Sequence, residues 1–230
     1  MSKFAGNKSS ETIKEVYLKT LGKDYGEFLL GENTTRILHS DPKLLLFTLS
    51  RYKFVSKMFS GFKNVLEIGC QEGFGSTIVS KEVNFLHAID FFIPYIESCE
   101  RRISKTNIIF EKYDILDGPI ANEFDGVFAL DVLEHIEKSQ EDLFMRNTLR
   151  SMKKDGCLIL GMPSLESQIY ASEASKIGHV NCKTGKEIVE FTKKYFRNVF
   201  LFSMNDEVLH TGFSPMAHYL FVLCCNKNEI

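Results

Sequence analysis

The stretch Val65-Leu66-Glu67-Ile68-Gly69-Cys70-Gln71-Glu72-Gly73-Phe74-Gly75-Ser76 limits what the chain can fold into more than any other. It opens as a short apolar run and closes in glycines, the pattern of a buried strand turning sharply into a helix. Gly69 and Gly73 can take backbone angles closed to other residues, and without a Cβ they let the backbone approach a ligand. Glu67, two positions before the first glycine, sets this loop apart from phosphate cradles. In those the anion rests on backbone N–H groups at a helix N-terminus, where a nearby carboxylate would repel it. Glu67 therefore points to a ligand with a positive charge or several hydroxyls. Taken alone, the loop also fits a plain strand-to-helix turn.

Three further apolar runs follow, each closing on an acid. Phe85-Leu86-His87-Ala88-Ile89-Asp90 ends in Asp90, about twenty residues after the glycines, where dinucleotide-type folds bind ribose hydroxyls. Asn107–Asp114 ends in Asp114, and Phe124–Asp131 leads into Val132-Leu133-Glu134-His135-Ile136. This ordered set resembles the class I S-adenosylmethionine-dependent methyltransferases over about residues 60–225. One departure is plain: the family's loop usually reads Glu-x-Gly-x-Gly-x-Gly, and Gln71 replaces the middle glycine. A Rossmann dehydrogenase would need Gly-x-Gly-x-x-Gly, which Gly69-x-x-x-Gly73-x-Gly75 does not match. A non-catalytic methyltransferase-like binding module stays open, since Gln71 could mark a loop that has lost its ligand.

The core alternates strand and helix: strands at 64–68, 85–90, 107–112, 124–130 and 156–162, helices at 75–82, 93–104 and 139–153. Strands joined through single helices argue for right-handed crossovers and a mostly parallel sheet. After a helix at 184–195, the runs Asn198–Met204 and Ala217–Cys225 have no helix between them and should pair antiparallel, joined by the Asn205–Pro215 loop. The expected fold class is α/β, a three-layer Rossmann-like sheet of seven strands, mostly parallel, with a C-terminal antiparallel hairpin; seven strands is also what the resemblance implies. Residues 1–60 read as a helical extension, a lid over the methyltransferase core at 61–230. A first helix runs from Ser9-Ser10-Glu11 to about Leu21, with Ile13, Val16, Tyr17 and Leu21 as its stripe. Asp41-Pro42 caps a second, whose Leu44–Phe59 portion is apolar nearly all round and should be well buried.

At 230 residues the chain can bury one sizeable core, and a net charge of −2 leaves no electrostatic footprint for nucleic acid or an anionic membrane. No apolar stretch is long enough to span a bilayer, and Met1–Gly6 has no apolar core of a secretory signal, so a cytoplasmic location is expected. Six cysteines show neither zinc-type pairing nor the density of a disulfide scaffold; Cys157, Cys224 and Cys225 read as small core residues.

The resemblance implies S-adenosylmethionine as cofactor, S-adenosylhomocysteine as product and a small-molecule acceptor. It places Glu67 and Gly69 by the methionine moiety, Asp90 on the ribose and Asp114 at the adenine, with Cys70, Gln71, Gly73, Ile115 and Asp131 completing the cofactor contacts. Phe91, next to Asp90, is suited to pack on the adenine face. Methyl transfer is an in-line displacement, so the protein must align a nucleophile and take its proton. Asp131, Glu134 and His135 are the candidates; a helical turn would put them on one face, with the histidine as general base beside two carboxylates. In the bland alternative His135 only braces the next loop. Asp131-x-x-Glu134-His135 with a later His179 also resembles the metal-binding pattern of small-RNA 3′-terminal 2′-O-methyltransferases, whose first position is glutamate. No metal ligand is assigned on the leading reading, but a divalent ion there would suit a vicinal diol or catechol. The long loop 163–183 should face the methyl donor, with His179 and Asn181 as candidate substrate contacts and His210 and His218 as outside possibilities.

Overall fold

Each apolar run becomes a strand of one sheet in a computed structural model that describes residues 10–20, 27–104, 106–121 and 123–228. β1 (Asn64–Ile68), β2 (Phe85–Asp90), β3 (Ile108–Lys112), β4 (Phe124–Leu130) and β5 (Met152–Pro163) run parallel. β6 (Phe196–Asn205), β7 (Val208–His210) and β8 (Tyr219–Lys227) complete the order β3-β2-β1-β4-β5-β8-β6-β7. β8 lies antiparallel between β5 and β6, so the expected closing pair forms. The sheet has eight strands rather than seven. Val208–His210, inside the segment expected as a loop, pairs with β6 after a turn in which Asp206 takes a left-handed φ of 51°. An aspartate tolerates that conformation, but Asn-Asp-Glu carries no glycine to announce it.

The helices are α1 (Ser10–Thr20), α2 (Glu32–Ser40), α3 (Pro42–Met58), α4 (Ser76–Val79), α5 (Ile93–Arg102), α6 (Glu141–Ser151), α7 (Glu173–Gly178) and α8 (Gly185–Lys193). Alternation along β1 decides the layers. Leu66 and Ile68 join α6 and α8 residues such as Phe144 and Ile188 in one buried cluster. Val65 joins Tyr52, Val55 and Phe59 of α3 and its C-cap, Val79 of α4 and Ile96 of α5 in the other. Helices thus cover both faces, and the second half of α3 is part of the core layer.

Asp41 caps α3, its carboxylate accepting from the Lys43 N–H at 3.2 Å, with Pro42 at the first position. Burial all round does not follow: Leu44 and Leu46 are exposed, while Arg51, Tyr52, Val55 and Ser56 are buried. Only the second half lies on the sheet; the first meets α2 and borders the loop after β1. The expected cap Ser9 and end residue Leu21 of the first helix lie outside the described residues, and Ile13, Val16 and Tyr17 are exposed. α6 stops at Ser151, because Met152 already pairs with Phe124 and Lys153 turns aside to Asp125 at 2.7 Å. Cys224 is buried, whereas Cys157 and Cys225 are half-buried, their sulfurs 3.2 Å apart across β5 and β8. Among the described residues no helix is long and apolar enough to cross a membrane.

Candidate functional site

The loop after β1 is fixed by its neighbours. Gly69 and Cys70 N–H groups both donate to the Ile89 carbonyl of β2, at 2.8 and 3.0 Å. Gly69 has φ +79°, and a Cβ there would lie 2.4 Å from a Val132 methyl; Gly73 has φ +68°, and a Cβ would strike Phe110 at 2.6 Å. Both positions therefore require glycine. Gln71 stands where the family pattern has glycine, and it keeps the glycine-like conformation, φ +48°. Its N–H donates to Asp90 Oδ2 at 3.0 Å, its carbonyl accepts from Cys99 Sγ at 3.3 Å, and its side chain accepts from Asn33 at 3.2 Å. Three contacts hold a strained backbone that costs about 1 kcal/mol. The loop shape survives the replacement.

Glu67 is 1% exposed, and neither oxygen completes a hydrogen bond of regular geometry. Burial raises its pKa to about 7; the nearby Ser76 and Tyr52 hydroxyls oppose this, and the Asp90 charge adds to it. A buried carboxylate without a partner is the kind of group that awaits a cation or donor. Asp90 is also buried. Its oxygens accept from the Gln71 and Phe92 N–H groups, yet desolvation still raises its pKa. Phe91 beside it is 68% exposed, an open aromatic face. Asp114 accepts from the Leu116 N–H at 2.9 Å, which shapes the turn after β3, and Ile115 is buried in the core.

The turn after β4 carries the remaining acids. Asp131 takes a left-handed φ of 56°, and Leu133–His135 then form a single 3₁₀ turn. Glu134 is fully buried with both oxygens unpartnered; burial, then the Asp131 charge, raises its pKa well above the usual carboxylate range. Ligand atoms of Glu134, His135 and His179 lie within 4.8 Å of one another. His135 Nδ1 pairs with the Gly178 carbonyl at 2.9 Å, and His179 Nδ1 with Gln168 Oε1 at 2.8 Å. A carbonyl only accepts, so each neutral ring carries its proton on Nδ1 and offers the Nε2 lone pair. Burial, and then the His135 charge, lowers the His179 pKa.

Loop 163–183 is less irregular than its sequence reads, with a 3₁₀ segment at Glu166–Tyr170 and α7 within it. It brings His179 to His135, but Asn181 faces inward. Asn181 donates to Glu141 and accepts from Lys183, which itself reaches Glu141 at 2.6 Å. Both halves of the Asn181 amide are thus spent on bracing the loop. His210 and His218 serve the last hairpin, bonded to Asn205 and to the Asp206 N–H.

Sequence reading missed the residues that reach the site from the N-terminal extension. Arg51 Nη1 contacts both oxygens of Asp131, at 3.0 and 2.8 Å. Tyr52 stands by Glu67 and against Gly75, where a Cβ would meet its ring at 2.2 Å. Glu72 accepts from the Asn33 and Thr34 N–H groups at 2.9 and 3.0 Å and from the Thr34 hydroxyl at 3.1 Å, capping α2 from the loop. An arginine in the apolar Leu44–Phe59 run is the one local signal available, and it does not name a partner 80 positions away.

Residues 65–156 match the family model described as a methyltransferase domain. Nodulation protein S of Azorhizobium caulinodans is 26% identical over 101 residues, 44% of this chain and 49% of that protein. The mitochondrial ubiquinone biosynthesis O-methyltransferase of Schizosaccharomyces pombe is 25% identical over 163 residues, 66% of this chain and 55% of that one. The chain spans about half the length of the curated relatives it matches. The crystal structure of N-methyltransferase NodS from Bradyrhizobium japonicum WM9 with S-adenosyl-L-homocysteine superposes with a TM-score of 0.62 at 20% identity, over 82% of this chain and 90% of that one. Residues 65–156 are thus similar to a methyltransferase domain, and the sheet and its helices share the fold of the NodS N-methyltransferase structure.

Proposed function

We propose that the chain transfers the methyl group of S-adenosylmethionine to a hydroxyl of a small polar molecule, with a sugar or sugar nucleotide as the leading class. One observation carries the reading: unpartnered buried Glu67 and the Glu134–His135–His179 group stand at the carboxyl ends of neighbouring parallel strands, β1 and β4. That edge is where ligands of such sheets bind. The residues fit the cofactor, since Glu67 lacks a partner and a Cβ would fill the cradle at Gly69 and Gly73. Glu67 would take the methionine end, Asp90 the ribose and Phe91 the adenine face.

Bound S-adenosylmethionine supplies an electrophilic methyl on a sulfonium. The chain's own part is to align the acceptor oxygen and receive its proton, which His135 does at Nε2 while Nδ1 holds the Gly178 carbonyl. Isothermal titration with S-adenosylhomocysteine tests the cofactor half, and absence of binding sinks it. Radiolabelled methyl transfer to a panel of sugars, sugar nucleotides, catechols and amines tests the rest. Amines belong in the panel because one relative is named for N-methylation and another for O-methylation. For His135→Ala, turnover should fall about 10²–10⁴-fold with S-adenosylhomocysteine affinity unchanged. Normal turnover across pH would remove the base.

A metal-assisted form of this reaction is favoured by the same cluster. Two imidazole lone pairs and an orphaned buried carboxylate suit a divalent ion, with Gly178 and Gln168 orienting the rings. Glu134, His135 and His179 would hold it, and it would acidify a hydroxyl of a vicinal diol or catechol. Loss of turnover with chelator, restored by Mn²⁺ or Mg²⁺, distinguishes this form from a histidine acting alone.

A further inference from the structure

Asp131 stands at the edge of the Glu134–His135–His179 group without belonging to it. It follows β4 directly, at the entry to the Leu133–His135 turn and three residues before Glu134. Its oxygens, however, are both turned to Arg51 Nη1. Arg51 is itself fixed, since its side chain is 11% exposed and its guanidinium carbon lies 3.8 Å from the centroid of the Tyr219 ring on β8. The left-handed backbone at Asp131 sets where its side chain starts, and Arg51 sets where its carboxylate ends. An ion pair anchored on α3 and β8 therefore determines which way a carboxylate at the rim of the site points.

The orientation matters for a cation. Three protein ligands on a six-coordinate ion leave positions for oxygens of an acceptor, whereas a further carboxylate would occupy one or two of them and weaken the ion's pull on a hydroxyl. We propose that Arg51 is a positioning residue that withholds Asp131 from a divalent metal at Glu134, His135 and His179, leaving that ion open to two oxygens of the acceptor. The proposal rests on the metal-assisted form of the function.

The metal alone tests it. Mn²⁺ is titrated calorimetrically into the full chain, the Arg51→Met, Arg51→Lys and Asp131→Asn variants, and the Arg51→Met/Asp131→Asn double variant. A thermal melt and far-UV circular dichroism report the folding of each. Arg51→Met should bind Mn²⁺ about tenfold more tightly, through the freed carboxylate and the lost positive charge. The double variant removes both charges together, so its affinity should stay within about threefold of the parent. Arg51→Lys keeps a cation on Asp131 and should match the parent, and Asp131→Asn, with Arg51 left unopposed, should not bind more tightly than it. A double variant about tenfold weaker than the parent means that Asp131 already ligates the ion, and Arg51→Met no tighter than the parent means that Asp131 cannot reach it; either overturns the proposal while the metal site stands. If Arg51→Met does not fold, Arg51→Gln, which removes the charge but leaves Asp131 a neutral donor, is read in its place: tighter Mn²⁺ binding than the parent is expected, and binding no tighter overturns the proposal. A parent that binds no Mn²⁺ at about millimolar concentration removes the metal-assisted reading and this proposal with it.

Discussion

Replacing Glu67 by glutamine separates the cost of a buried carboxyl from its use. In the free protein Glu67 has an ordinary pKa of 4.5 when unfolded and about 7 when folded, because burial disfavours its charge. A raised carboxyl pKa makes folding less favourable as pH climbs from 4.5 toward 7, and the penalty is constant above that. The gap corresponds to about 3 kcal/mol at pH 8, of which under 1 kcal/mol is already present at pH 5. Glutamine never ionises, but its amide lacks partners in the same place at every pH. The stability of Glu67→Gln relative to the parent should therefore improve by about 2–3 kcal/mol between pH 5 and 8, read by denaturant unfolding without cofactor. The cofactor should reverse the preference. Loss of a charge-assisted bond costs about 1.5–3 kcal/mol, so the variant should bind S-adenosylhomocysteine about 10–100-fold more weakly. Binding to the parent near pH 6 should also release a proton as Glu67 ionises, visible as a buffer-dependent enthalpy. A stability difference flat between pH 5 and 8 would refute the buried, unpartnered carboxyl. Unchanged S-adenosylhomocysteine affinity would refute its place in the cofactor site.

Glu72→Ala removes three acceptor contacts from the start of α2 and should cost about 3 kcal/mol locally, speeding amide exchange over Glu32–Ser40 about a hundredfold; protection left unchanged would deny the latch. Gln71→Gly should leave S-adenosylhomocysteine affinity within about threefold, since the backbone is already left-handed there, whereas a large gain would show that Gln71 distorts the loop. Lys183→Met leaves Glu141 as an uncompensated buried charge and should cost about 3 kcal/mol of stability, with turnover falling as the loop that carries His179 loses the Asn181–Glu141–Lys183 brace and S-adenosylhomocysteine affinity kept.

The strand ends carried most of what was legible. β1, β2 and β4 begin and end where their apolar runs do, because a strand buried on both faces is a local pattern with acids and glycines as punctuation. The same punctuation brought Glu67, Asp90 and Asp131 to one edge of the sheet, since parallel strands put their carboxyl ends together. β7 escaped because its pairing with β6 depends on a left-handed aspartate rather than a glycine.

By itself, then, the sequence determined the layered α/β core, the glycine loop and the order of the acids along it. Tertiary structure alone decided what each acid faces. Glu67 and Glu134 are left without partners, Asp131 is taken by Arg51, Glu72 by α2, and Asn181 by Glu141 and Lys183. Those pairings join residues 38, 40 and 80 positions apart. Local propensity and spacing act over a few residues, while a side chain's partner is set by whichever segment the completed core packs beside it.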